Sequence, residues 1–257
     1  MKFTTKLSSF NSVSEDIKTS IKIHNTLIDS YLEEHILKSD FYELMNGEEH
    51  IGSFAIYNHE LLTHFYINEA YLKYGEELFN LARKSDHVIR AYVSTGDELF
   101  LSHVLDTSRK IENQAYFFRL SEEAFAGVEI NRNLCLEVAL THEVEMIKEL
   151  SGDFFENLPE QVKRGEIFIG RMDDQVVSFG IIEKSKLYES VASTGMFVVE
   201  NHRQGGLGKS TIGLLIEHLK NQGITPIAGC WYYNHNSKKT LQKAGYYSKS
   251  RLLNIHL

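Results

Sequence analysis

Three glycines, Gly205, Gly206 and Gly208, stand between Arg203-Gln204 and Lys209-Ser210. They follow the apolar, strand-like stretch Phe197-Val198-Val199 and precede Ile212, Leu215, Ile216 and Leu219, which recur at helical spacing. Glycines at the start of a helix let backbone N–H groups approach a ligand closely, and the helix dipole there favours negative charge. The chemistry this points to is the holding of a phosphate or pyrophosphate. Three glycines with a basic residue on either side exceed what a simple strand-to-helix turn requires.

Such a loop works only if a strand ends before it and a helix begins after it, and the chain supplies that arrangement twice. Residues 45–56 and 170–181 align at a constant offset of 125, each reading as a hairpin with a polar turn and an apolar second strand. Phe65-Tyr66-Ile67-Asn68 then leads to a helical run (Leu72, Leu78, Leu81, Ala82) and to a strand, Val88-Ile89-Arg90-Ala91-Tyr92-Val93. In the second half Phe197-Val198-Val199-Glu200 leads to the glycine loop, its helix and the strand Ile227-Ala228-Gly229-Cys230-Trp231-Tyr232. Tyr66 and Ile89 are 23 positions apart, Val198 and Ile227 29, which predicts about six extra residues between strand and helix in the second copy. Where that copy has His202–Gly208, the first has Glu69-Ala70-Tyr71-Leu72-Lys73-Tyr74-Gly75. Two similar α+β units are expected, 1–127 and 128–257, with an anion-binding loop only in the second.

With 257 residues the chain is long enough for two domains, each with its own core. The formal charge of −8 disfavours a nucleic-acid or anionic-membrane partner for the chain as a whole. That total conceals a basic segment: from Arg203 to Arg251 eight basic residues accompany one acid, Glu217. Cys135 and Cys230 lie in apolar runs far apart and read as reduced core residues rather than a disulfide or a metal site. The first 15 residues lack the apolar run of a signal peptide, and no stretch reaches a membrane span, so a cytoplasmic protein is expected.

Arg203-Gln204-Gly205-Gly206-Leu207-Gly208 fits the pattern Q/RxxGxG/A. Asn234 to Tyr246 fits NxxSxxxxxxxG followed by an aromatic residue, through Ser237 and Gly245. In this order, with one helix and one strand between them, the two motifs resemble the signature of the GNAT superfamily of N-acetyltransferases over roughly residues 134–257, with a degenerate GNAT-like half before it. The resemblance implies tandem α+β domains, each a mixed, mostly antiparallel twisted sheet flanked by helices. It implies acetyl-CoA as cosubstrate, no metal, and a small-molecule amine as acceptor, with no nucleic acid or membrane as partner. Backbone amides of Gln204, Gly205, Gly206, Leu207, Gly208 and Lys209, beside Arg203, would hold the pyrophosphate. Main-chain groups of Phe197, Val198 and Val199 would pair with the pantetheine arm, which Asn234 would also contact. Ser237 is expected to cap the following helix, and Lys238, Lys239 and Lys243 to form its solvated face, Lys238 or Lys239 within reach of nucleotide phosphates. The first domain would shape the acceptor site or a homodimer interface.

Acetyl transfer to an amine needs a base, a donor for the thioester oxygen and an acid for the departing thiolate. A strand N–H near Val198 serves as donor whatever its side chain. Many relatives place a tyrosine acid at the eighth position of the second motif, here Leu241, and some a glutamate five residues before the Asn, here Gly229. The remaining candidates are Glu189 or Glu183 as base and Tyr233 as acid, with Tyr246 the alternative acid; Trp231 is expected to flank the acceptor cleft. Two other readings remain. A non-catalytic acyl-CoA sensor is favoured by Leu241 and Gly229. A nucleoside-triphosphate loop, which Gly205 to Thr211 resembles, would need a metal-binding Asp downstream, and no Asp follows Asp174.

Overall fold

The computed structural model describes residues 2–23 and 28–257, and the chain divides into two compact units, 1–117 with 250–257 and 118–249. In the first unit the order is β1 (Phe3–Ser8), α1 (Phe10–Ile23), α2 (Ser30–Leu37), β2 (Asp40–Asn46), β3 (Glu49–Tyr57) and β4 (Leu61–Ile67). A 3-10 turn, Glu69–Tyr74, then runs into α3 (Gly75–Lys84), followed by β5 (Arg90–Ser94), α4 (Glu98–Leu105) and β6 (Lys110–Leu120), whose last residues belong to the second unit. There the order is α5 (Glu122–Ala126), β7 (Cys135–Val138), α6 (Val144–Ser151), α7 (Leu158–Lys163), β8 (Ile167–Met172), β9 (Gln175–Lys184) and β10 (Val191–Val198). After the glycine loop come α8 (Leu207–Lys220), β11 (Thr225–Trp231), α9 (His235–Lys243) and β12 (Tyr246–His256).

The repeat seen in the sequence is a repeat of topology. Strands β1-β2-β3-β4-β5 and β7-β8-β9-β10-β11 lie in the same order, antiparallel except for the parallel pairs β4–β5 and β10–β11. The register repeats as well: Phe54 faces Phe65 in one copy and Phe179 faces Phe197 in the other. In the first unit Phe54, Phe65, Phe79 and Phe100 are buried in one core with Ile255. The second unit packs Phe179, Ile181 and Phe155 against Ile147 of α6 and Val162 of α7, and Val177 and Leu134 against Leu207 of α8.

Three sequence expectations differ from the structure. The connection after β10, residues 199–206, is one residue longer than that after β4, residues 68–74, so the glycine loop is not an insertion. The extra length is in the helix, 10 residues in α3 and 14 in α8. A spacing measured from strand to strand cannot separate a longer loop from a longer helix when both ends of the helix are read from periodicity alone.

The unit boundary also differs from the expected junction at 127/128. Residues 118–127 belong with the second unit, and the end of the chain returns to the first, where β12 pairs antiparallel with β5 from Leu252 opposite Ser94 to His256 opposite Arg90. Ile255 is fully buried there. Cys135 is exposed and Cys230 half-buried, neither a core residue; β7 is an edge strand with three of its four residues exposed. Among the described residues no helix is long and apolar enough to cross a membrane, and no three potential metal ligands cluster.

Candidate functional site

The parallel pair β10–β11 is joined for only three residues, Val191 to Ser193 opposite Thr225 to Ile227. Beyond that point β10 continues to Val198 and β11 to Trp231 without pairing each other, so the strands part and leave a cleft whose wall is main chain. Which groups face it follows from alternation along the strand. The Val199 amide donates to the Val177 carbonyl of β9 at 3.1 Å, which turns Phe197 and Val199 toward β9. Met196 and Val198 therefore present their N–H and C=O to the open side. Of the three residues expected to pair with the arm, Val198 turns its main chain to the cleft, as does Met196, whereas Phe197 and Val199 turn theirs to β9. Sequence alone gave no anchor for that parity.

At the end of β10 the chain makes a 3-10 turn, Glu200–His202, and then two left-handed residues, Gln204 at φ +69° and Gly206 at φ +79°. Gly206 is the N-cap of α8 and offers no side chain, so no cap side chain bonds the amides of the first turn. A Cβ at Gly206 would meet nothing within 4 Å, so the cap position itself is unobstructed. Gly208 is different in kind: a Cβ there would lie 3.1 Å from Thr240, 3.4 Å from Met196 and 3.4 Å from Val198, so it lets α8 pack close to β10 and α9. Gly205 and Lys209 flank these two, Lys209 on the first turn of α8, which carries no acid. Arg203 folds back, its Nε donating to the Val198 carbonyl at 3.1 Å and its guanidinium lying 5.5 Å from the Phe197 ring.

The first unit has the same splay and lacks the same cradle. β4 and β5 pair only at Leu61–Leu62 opposite Arg90–Ala91. The following helix, α3, places Glu76 and Glu77 in its first turn, where a bound anion would be repelled. The space over Gly75 is taken by the His103 ring of α4, 2.4 Å from where a Cβ would stand.

Asn234, after β11, is the N-cap of α9, and its side chain accepts from the Ser237 amide at 3.0 Å. The expected cap, Ser237, is thus the capped residue. Strands β10 and β11 are parallel, so Trp231, Tyr233 and Asn234 lie at the same edge as the glycine loop. Trp231 and Tyr233 are exposed and in edge contact at 5.1 Å. Trp231 stands four residues past Ile227, about 13 Å along a strand, at the mouth of the cleft rather than at its apex. Glu189 lies at the opposite edge, in an exposed turn before β10, with the paired segment between it and the cleft. The structure therefore does not bring Glu189 and Tyr233 together. Glu183 stands directly opposite Ser193, the last paired residue of β10, and is half-buried. Leu241 is buried, and Lys239 and Lys243 are exposed on α9.

Tyr246, the alternative acid, is buried at the apex, its hydroxyl 2.9 Å from Thr194 Oγ1; burial pushes its phenol far above the ordinary range. The hydroxyls that a triphosphate loop would turn to a metal are used otherwise. Ser210 Oγ accepts the Asn131 amide at 3.0 Å and Thr211 Oγ1 lies 2.8 Å from Ser178 Oγ, both buried.

Family models match both halves: an acetyltransferase (GNAT) domain over residues 9–121 and the acetyltransferase (GNAT) family over residues 136–246. The chain belongs to the GNAT acetyltransferases, as a two-domain member. Among solved structures, an acetyltransferase of the GNAT family from Colwellia psychrerythraea matches with a TM-score of 0.87 at 17% identity, covering 100% of both chains. A tandem GNAT protein from the clavulanic acid biosynthesis pathway matches with a TM-score of 0.67 at 11% identity, covering 100% of this chain and 98% of its own. A GCN5-related N-acetyltransferase from Sphaerobacter thermophilus matches at 0.63 and 11%, covering 98% and 95%. At such identities the likeness concerns the fold. No curated protein matches the chain. The tandem GNAT arrangement read from the repeat and the two motifs is thereby established, its sheets mixed and flanked by helices.

Proposed function

We propose that the second unit is an acetyl-CoA-dependent N-acetyltransferase acting on a primary amine of a small molecule. One observation carries this reading: a helix N-terminus without a side-chain cap, reached through a left-handed glycine turn, opens at the same edge as a cleft between two parting parallel strands. The first feature suits a pyrophosphate and the second an extended arm that pairs with main chain. When bound, acetyl-CoA supplies an activated acyl group as a thioester. In this reading the amides from Gln204 to Lys209 hold the pyrophosphate. Met196 lends its N–H and C=O and Val198 its N–H to the arm, the Val198 carbonyl already accepting from Arg203 Nε, and an N–H of that pair polarises the acyl carbonyl. Asn234 has its Oδ1 engaged by the Ser237 amide, so its Nδ2 is the group left to reach the arm.

Glu183 takes the role of base. It projects on the same face as Phe179 and Phe197, beside the apex, and receives the proton of the amine directly or through water, while the C–S bond breaks and the departing thiolate takes its proton from water. Glu189, beyond the paired segment, and Tyr233, at the mouth, have no proton-transfer step here. The acidic remainder of the chain, fifteen negative charges net outside 203–251, suits a cationic acceptor.

The sensor reading draws on one observation: the buried Leu241 offers no proton donor where many relatives have a tyrosine. Thiol release from acetyl-CoA across a panel of small amines separates the two. Turnover with at least one amine, reduced about 100-fold or more in Glu183→Gln, is expected. Tight acetyl-CoA binding with no turnover for any amine would leave the sensor.

A further inference from the structure

Three buried groups meet where β10 and β11 part. Thr194, the first residue of β10 beyond the paired segment, is 4% exposed, Ile227, the last paired residue of β11, 2%, and Tyr246, the first of β12, 3%. Thr194 Oγ1 donates to the Ile227 carbonyl at 3.1 Å, and the Tyr246 hydroxyl lies 2.9 Å from Thr194 Oγ1 and 3.5 Å from the same carbonyl. With Thr194 donating onward, Tyr246 is the donor to Thr194. Two hydroxyls drawn from different elements thus form one chain that ends on that carbonyl at the point where the ladder stops. Two strands that parted for want of a partner would gain by closing, since each open N–H and C=O favours pairing. Something must fix the point of parting, and the hydroxyl chain is what stands there.

We propose that Tyr246 is a positioning residue for the cleft: acting through Thr194, its hydroxyl fixes where β10 leaves β11 and keeps the main-chain groups of Met196 and Val198 open to the arm of the acyl donor. The inference rests on the acetyl-CoA reading of the cleft for its purpose, and on the structure alone for the wedge. Tyr246 touches neither donor nor acceptor in this account, and the proton it carries stays in place.

The test uses the full chain with Tyr246→Phe, which keeps the ring in its pocket and removes only the hydroxyl, together with Thr194→Val, the double variant and Thr194→Ser. Tyr246→Phe is expected to raise the Kd and the KM for acetyl-CoA about five- to tenfold, the scale of one buried hydrogen bond, while kcat stays within about twofold. Thr194→Val should do the same and the double variant no more, because the two hydroxyls act as one chain. Thr194→Ser should recover most of what Thr194→Val loses. Independently of any ligand, amide hydrogen exchange at Met196 and Val198 should slow in Tyr246→Phe as the strands pair further. A lowered melting temperature with Kd, KM and exchange unchanged would make the contact merely structural and overturn the proposal, as would additive effects in the double variant. Should the wild type take up no acetyl-CoA, the assignment of the cleft fails, and exchange at Met196 and Val198 still decides the wedge.

Discussion

Gly206 and Gly208 look interchangeable in the motif and do different work. A side chain at Gly206 enters open space from a left-handed backbone, whereas one at Gly208 strikes Thr240, Met196 and Val198. Gly206→Asp should therefore fold, at a cost of about 1–2 kcal/mol for the backbone, and abolish CoA binding by setting a carboxylate before the α8 amides. Gly208→Asp should lose binding and melt several degrees lower, because α8 is pushed off β10; thermal shift with and without CoA reads both. Among the carboxylates, Glu183→Gln should lower kcat for the best amine, and Glu189→Gln should stay within about twofold. A reversal of that order would return the base to the edge of the strand. At this level the sequence showed residue types and hid their parity. It pointed to the glycine loop and to Asn234, but which of Met196, Phe197, Val198 and Val199 face the cleft depends on a register fixed by β9, and the capping of α9 by Asn234 rather than Ser237 depends on where the helix starts by one turn.

Helices α3 and α8 begin at equivalent places after equivalent strands, and what separates them is what stands at their first turn. Glu76 and Glu77 cover one N-terminus with negative charge, while Lys209 and an unobstructed Gly206 leave the other positive. The sequence showed this contrast through composition and misplaced it as an insertion, since helix length and loop length trade against each other in a count of residues. It also could not show that β12 returns to the first unit, because strand partners far apart in the chain leave no local trace. That return carries a consequence. Ile255→Ala removes a fully buried side chain from the core shared with Phe54 and Phe65 and should destabilise the first unit by about 2–5 kcal/mol, although the substitution lies only two positions before Leu257. Urea unfolding followed by amide exchange in β5 would show the loss there; unchanged exchange in β5 would mean that β12 contributes nothing to that core.

Taken whole, the molecule is two copies of one topology given different burdens. The first holds His64 in its interior, where burial lowers its pKa to about 3 from the ordinary 6.5. Because the folded value lies below the unfolded one, the unfolded chain takes up a proton in that interval that the folded chain refuses. The stability His64 allows is complete above about pH 6.5 and declines as pH falls, by up to about 1.4 kcal/mol per unit. His64→Gln should lose about 2 kcal/mol less than the parent between pH 7 and pH 5, as denaturant unfolding at both values would show; equal losses would mean His64 is not the group responsible. The second copy holds most of the basic run, eight basic residues against Glu217 between Arg203 and Arg251, of which Arg203 and Lys209 stand at the α8 N-terminus. This asymmetry makes the central claim a matter of counting. Isothermal titration of the full chain with acetyl-CoA should give one equivalent bound per chain, and Gly206→Asp should bind none while retaining its fold by circular dichroism. No binding by the wild type, or undiminished binding by a folded Gly206→Asp, would contradict the account.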